Sequence, residues 1–277
     1  MDAPDPNRRL LLIGGSILAA VVAAGVAPTA CAMRNITKGP TGMTTAPPPR
    51  PPGKPKPLLD EDIGPVLARL DAWYAAHLPA DRYRWNPPAS EEQLAAFEKA
   101  VGRTMPQSWR QLYRWHNGEN EDRWGHFYGL PLCSLEFAAG DWQIWQQGLD
   151  WFGGNRYAIP GAGWPAGAVD PAYINLARIP LTVDRSGNNI GLDFDPWPGG
   201  RVGQVIIYGR DEDVKVVLAE SLGGFLGWIA DLLEAGNFRL DAVPGEQRLR
   251  LFRLKTPAVD HFHEGARLLL GAPKQYL

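Results

Sequence analysis

From Asp62 to Gly148 apolar residues recur at every third or fourth position, and after Trp151 that spacing shortens to the runs expected of strands. A chain patterned this way can bury helical stripes in its first half and strand faces in its second. Ile63, Val66, Leu67, Leu70, Trp73, Tyr74 and Leu78 share one helical face, and Pro79 stops it. Ser90 with Gln93 has the spacing of a capping box, Leu94, Phe97 and Val101 form the stripe behind it, and Gly102 suits a left-handed helix end. Pro106 opens a third helix with Trp109, Leu112, Tyr113 and Trp115 facing inward, closed by Gly118. A fourth runs from about Ser134 to Gly148. Tyr157 to Pro160, Ile174 to Val183, Ile190 to Phe194, Val202 to Tyr208 and Val214 to Leu218 read as strands between Gly, Pro, Asn and Asp clusters. Ser221 caps a last core helix that ends near Gly236. Helices followed by consecutive strands predict an α+β fold with an antiparallel sheet.

Charge divides the 277 residues further. The net charge is −2, but it is a cancellation between segments. Residues 1–57 carry seven Lys/Arg and two Asp, a net of +5; residues 58–238 carry 14 basic and 24 acidic residues, a net of −10; residues 239–277 carry seven against four, a net of +3. The acidic central block excludes a dedicated nucleic-acid binder, because phosphate neutralisation needs a basic surface, and it favours a basic partner. Residues 1–33 place Arg8 and Arg9 before an uncharged Ala-rich run, the pattern of a signal peptide or membrane anchor. Ala30-Cys31-Ala32 fits signal cleavage, and Thr29-Ala30-Cys31 also resembles the end of a lipobox, which would make Cys31 a lipidation site. Cleaved, lipidated and retained forms all remain open, and each puts the protein at the cell envelope, with the amino terminus as its only membrane contact. Residues 34–57 contain eight prolines and five basic residues, the composition of an extended basic linker. Residues 58–238 then form the folded domain and 239–277 a C-terminal extension. With Cys133 the only other cysteine, an intramolecular disulfide would have to use Cys31, so the domain must hold by burial.

Within the central block an ordered set of short motifs is recognisable. Ser90-Glu91-Glu92-Gln93-Leu94, Met105-Pro106 with Trp109 and Leu112, His116-Asn117-Gly118, Tyr128-Gly129-Leu130-Pro131-Leu132, the run Gly187 to Pro196, Gly199 to Val205, Leu218-Ala219 and Trp228 occur in that order. Together they resemble the Smi/Knr-type cell-wall regulator domain of the SUKH superfamily over roughly residues 62–237. The resemblance implies helices packed around a curved antiparallel sheet of about five to six strands and a non-enzymatic, protein-binding role. Bacterial members commonly neutralise toxins as immunity proteins, and fungal members regulate the cell wall and signalling. The expected partner is a protein, a basic toxin domain being one such; a carbohydrate- or peptidoglycan-binding or cell-wall regulatory role is the alternative.

The residues that could carry binding follow from the same reading. Eleven tryptophans lie between Trp73 and Trp228, and Trp85, Trp124, Trp164 and Trp197 fall in loop-like sequence, where they either anchor loops or face a partner. Trp124 and Trp197, with the acidic Asp193, Asp195, Asp211, Glu212 and Asp213, are the candidate partner-binding set. Asp193 and Asp195 sit at strand spacing on one face, and with Asp184 and the Asp211-Glu212-Asp213 run they could supply oxygen ligands; turn-forming and solvated carboxylates are the simpler reading, so no metal or cofactor is expected. His116 and His126 flank an acidic loop, Glu119 to Asp122, without any nucleophile motif beside them. His261 and His263, at i and i+2, lack other obvious ligands and read as surface histidines.

Overall fold

Helix boundaries follow the local chemistry closely. The Ser90 Oγ accepts the Gln93 N–H at 3.3 Å while the Gln93 side chain accepts the Ser90 N–H at 2.8 Å, a reciprocal cap that starts a helix at Glu91. Gly102 ends it in the left-handed region at φ 65°, a conformation that costs glycine nothing. The computed structural model describes residues 48–79, 83–119, 125–243 and 246–275. The Ala-rich run of residues 1–33 with Cys31, the linker up to residue 47, and Trp124 lie outside them. Among the described residues the helices are α1 (Gly64–His77), α2 (Glu91–Val101), α3 (Gln107–Trp115), α4 (Leu135–Trp151), α5 (Leu222–Glu234) and α6 (Phe262–Leu270). None of them is long and apolar enough to cross a membrane.

Five strands, β1 (Ala162–Trp164), β2 (Arg178–Val183), β3 (Asn188–Asp193), β4 (Gln204–Gly209) and β5 (Val214–Ala219), form one sheet in the order β1-β5-β4-β3-β2. The last four pair antiparallel as the sequence predicts, and register shifts in β2 and β4 bend the ladder. The first is different. Tyr157 to Pro160 is not a strand: the Tyr157 N–H is drawn to the Asn155 side chain at 3.0 Å in a turn, and Pro160 has no N–H to give a ladder. Extended structure begins at Ala162, which runs parallel to β5, so the sheet is mixed.

Both faces of this sheet are covered. Val205 and Ile207 of β4 point towards the helices and join the main core, whereas Ile206 and Tyr208, one residue out of phase, pack with Ala168 and Val169 on the other face. The second face is therefore sealed by the non-helical segment between α4 and β2. On the helical side, Trp109 of α3 stacks on Phe97 of α2 and packs tilted against Tyr113, and the Trp73 indole of α1 donates to the Leu233 carbonyl of α5 at 3.1 Å.

The described part of the C-terminal extension, residues 239–243 and 246–275, adds to the same core. It forms a hairpin, β6 (Arg239–Val243) with β7 (Glu246–Arg253), followed by α6. Phe252, Leu254, Phe262 and Ala266 are all buried with the main cluster, and Tyr128 is stacked between Phe252 and Phe262 at 4.8 and 5.1 Å. The end of the proline-rich segment is also docked. Backbone bonds join Lys56 to Gly200 and Val202, and the Lys56 ammonium pairs with Glu220. Because Phe252 is 1% exposed and ringed by Trp73, Tyr83 and Tyr128, Phe252→Ala should lower the unfolding free energy by about 3–5 kcal/mol in urea titration. A loss below about 0.5 kcal/mol, the range of a surface substitution, would show that the tail is not part of the cooperative core.

Candidate functional site

A groove of about 580 Å³ lies between α2 and α4. Phe97 and Leu135 make its floor, and the small side chains of Ala96, Ala100 and Ala139 keep its walls low. Asn117 closes one end, and its position is fully specified. Its side-chain oxygen accepts the Leu135 N–H at 2.9 Å in the first turn of α4, its carbonyl accepts from the Asn86 amide at 3.0 Å, and its N–H donates to the Pro87 carbonyl. Gly118 follows at φ 73°, where an added Cβ would stand 2.3 Å from the Ser134 nitrogen, so only glycine lets the two segments touch. The His116-Asn117-Gly118 motif thus joins the end of α3 to the start of α4. An apolar floor with amide and carboxylate groups at the rim, from Asn86, Gln93 and Glu136, suits a peptide segment whose backbone needs polar partners.

The described candidate binding residues, Asp193, Asp195, Trp197, Asp211, Glu212 and Asp213, are elsewhere and do not form one surface. Trp197 is buried, and Asp193 is fully buried, its carboxylate accepting the Gln204 amide at 3.1 Å and the Asp195 N–H at 3.1 Å. Burial pushes the Asp193 carboxyl above its ordinary range. Asp195 is partly exposed and takes Arg156 at 2.9 Å and the Asn175 amide at 3.1 Å, with Arg50 of the linker 3.4 Å away. Buried Asp170 anchors the same cluster through Arg156 and the Tyr157 hydroxyl. Asp211 pairs with Arg210 at 2.8 Å. Glu212 is 2% exposed and bonds Arg267 and His263 of α6, and Asp213 is buried beside β5. Asp193 and Asp195 come together at the end of β3, and the run 211–213 lies at the other end of the sheet, in the β4–β5 turn.

Glu119 and Trp85 are fixed by contacts that the sequence does not announce. Glu119, read as a loop acid, is 2% exposed; its carboxylate accepts the backbone N–H groups of His126 and Leu132 and lies 2.7 Å from His126 Nδ1. The Trp85 ring is stacked between His116 and His126, with centroids at 4.8 and 3.8 Å. This loop tryptophan is an anchor, and both histidines are held by stacking. His116 bonds the Asn86 carbonyl at 3.2 Å through Nδ1, not the last carbonyls of its own helix.

Comparison with known proteins bears on what this architecture serves. The family model of the SMI1 / KNR4 family (SUKH-1) matches residues 88–228. The chain belongs to that family. The match begins just before the Ser90 capping box and ends at Trp228 in α5, so the sheet and all of the groove except Asn86 and Pro87 fall inside the SUKH-1 region. Among curated relatives, the chain is 30% identical over 203 residues to the cell wall assembly regulator SMI1 of Saccharomyces cerevisiae, covering 62% of this chain and 40% of that protein. It is 31% identical over 173 residues to the cell wall biosynthesis/cell cycle regulator smi1 of Schizosaccharomyces pombe, covering 58% and 34%. The glucan synthesis regulatory protein of Neurospora crassa is 26% identical over 217 residues, covering 67% and 41%. The chain therefore spans less than half the length of these relatives. They are named as regulators.

The most perturbed cation in the SUKH-1 sheet gives a pH test. Lys215 of β5 is fully buried, with its ammonium 3.4 Å from the Asp213 carbonyl, and burial, reinforced by Arg178, pulls its pKa down to about 7. Between that value and 10.5 the unfolded chain holds a proton that the folded chain has released, so stability should rise with pH across this window. Below pH 7 both states are protonated and the penalty is full. Lys215→Met should raise the urea midpoint at pH 7 and flatten its rise between pH 7 and about 9. An unchanged slope would show that Lys215 is charged in the fold at pH 9.

Proposed function

We propose that this protein is a non-catalytic regulatory module of cell-wall assembly, held at the cell envelope by its amino-terminal segment, that recognises a protein partner through the α2–α4 groove. The observation that carries this reading is the family match over residues 88–228, with relatives named for cell-wall assembly and glucan synthesis. Those names support the regulatory reading better than a toxin-neutralising one. The chemistry of the site supports binding over catalysis. Glu119 and His126, a carboxylate and a histidine brought together close to the His116-Asn117-Gly118 motif, satisfy backbone donors and one another inside the core. The groove supplies contact area instead, and the −10 charge of residues 58–238 favours a basic partner, which the rim residue Glu136 would meet.

Ala96 and Ala100 are exposed on α2, so they can be enlarged without disturbing the core. Ala96→Trp should leave thermal stability within about 0.5 kcal/mol of the wild type. In source cells lacking the gene, the wild-type chain should restore wall-polymer content, and Ala96→Trp, accumulating equally, should not. Restoration by both chains would remove the groove from the function. Retention of the purified protein on isolated wall material, in the absence of other proteins, would favour direct carbohydrate binding over a protein partner. Partner capture should weaken steeply as salt rises towards ~0.5 M, since charge pairing at an exposed surface is screened.

A further inference from the structure

The fold brings together three ligating groups, Asp184 inside the SUKH-1 match and His261 and His263 beyond it, that lie far apart in sequence. Asp184 stands at the turn between β2 and β3, and His261 and His263 stand at the start of α6; one ligand atom from each lies within 4.8 Å of the others. We propose that these three side chains bind a single divalent transition metal ion, zinc in particular, which fastens the C-terminal helix to the β2–β3 turn.

Orientation of the groups carries the argument. His263 is 3% exposed, and its Nδ1 lies 3.2 Å from the Glu212 carboxylate. An ionised carboxylate only accepts, so the ring proton is on Nδ1 and the lone pair on Nε2. That Nε2 has no hydrogen-bond partner among the described residues. A buried acceptor left without a donor costs free energy, and a metal bond removes the deficit. Glu212 is itself fixed by Arg267, so the carboxylate–histidine–metal arrangement that orients metal-binding imidazoles is already assembled. Asp184 is equally constrained. Its Oδ1 accepts the Ser186 and Asn188 N–H groups at 2.7 and 3.0 Å, and Oδ2 takes the Asn188 amide at 2.8 Å, leaving Oδ2 a second lone pair.

His261 completes the set from the solvent side. Its Nε2 lies 3.8 Å from Asp184 Oδ2, and its side chain is 44% exposed, which leaves an entry path and a coordination position for water. Its Nδ1 accepts only a long 3.3 Å bond from the His263 N–H, which coordination through Nε2 would exchange for a metal bond. Tetrahedral zinc with bonds of about 2.0–2.1 Å separates its ligand atoms by about 3.3 Å. Sub-ångström to ångström-scale movements of His261, the exposed member, together with Asp184 and His263 would close the present spacing. Two imidazoles and one carboxylate select a borderline ion over calcium or magnesium, which prefer oxygen donors throughout.

The test uses the full chain, free of any affinity tag and stripped with a chelator, titrated with zinc chloride in competition with a chromophoric zinc indicator. One equivalent should bind with a dissociation constant at or below about 1 µM, and the melting temperature should rise with zinc but not with magnesium. His261→Ala, at an exposed position, should fold as the wild type does by circular dichroism and bind zinc at least tenfold more weakly. Asp184→Asn, which keeps an acceptor oxygen for the turn, should do the same, and His77→Ala should bind as the wild type does. X-ray absorption of the loaded protein should show two imidazole ligands. No stoichiometric uptake by the wild type, or uptake that His261→Ala leaves unchanged, would overturn the proposal.

Discussion

Burial of the central sheet on both faces is the constraint on which the rest of the structure depends. Once β3 and β4 are covered by helices on one side and by the 156–178 segment on the other, every polar group they carry must find its partner inside the protein. Asp193 takes Gln204, Asn188 bridges Asp184 and the Asp211 N–H, and Arg178 donates to the Asp170 and Ala172 carbonyls. Lys215 is a poor match, with a long bond to one carbonyl, and its burial makes the ammonium release its proton more readily. A large part of the acidity of the central block is therefore internal wiring, leaving the remainder for the surface.

The same constraint separates the two places where the molecule meets its surroundings. The α2–α4 groove is built from helices, where alanine stripes and a glycine close approach shape a cleft without charged machinery. The opposite end of the sheet is closed by the C-terminal hairpin and α6. There Glu212, Arg267 and His263 form a buried polar knot that ties residues beyond the SUKH-1 match to β5.

Much of the architecture was legible in the sequence because it rests on local rules. The Ser90–Gln93 box, the Ser134 and Ser221 caps and the left-handed Gly102 each involve residues within four positions of one another, and all are present. The strand runs after Arg178 were legible because β-branched and apolar residues cluster between turns. Tyr157 to Pro160 failed where a side chain, Asn155, competed for the backbone. Of the groove, the motif His116-Asn117-Gly118 was visible, but its role as a clamp on α4 was not, since Leu135 and Ser134 are some 18 residues away in sequence. His263 looked like a surface histidine because nothing near it in sequence announces Glu212 or Asp184.

What the sequence determined by itself is the fold class, the family and the order of helices and strands, because periodicity, caps and turn residues act over short range. Tertiary structure alone decided which charges stay at the surface and which are buried against partners. Asp193, Glu119 and Glu212 read as acids available to solvent, yet long-range packing removes each from water and commits it to a partner in the chain. The pairing of distant segments also created the α2–α4 groove and the Asp184–His261–His263 cluster, neither of which exists at any scale below the folded chain.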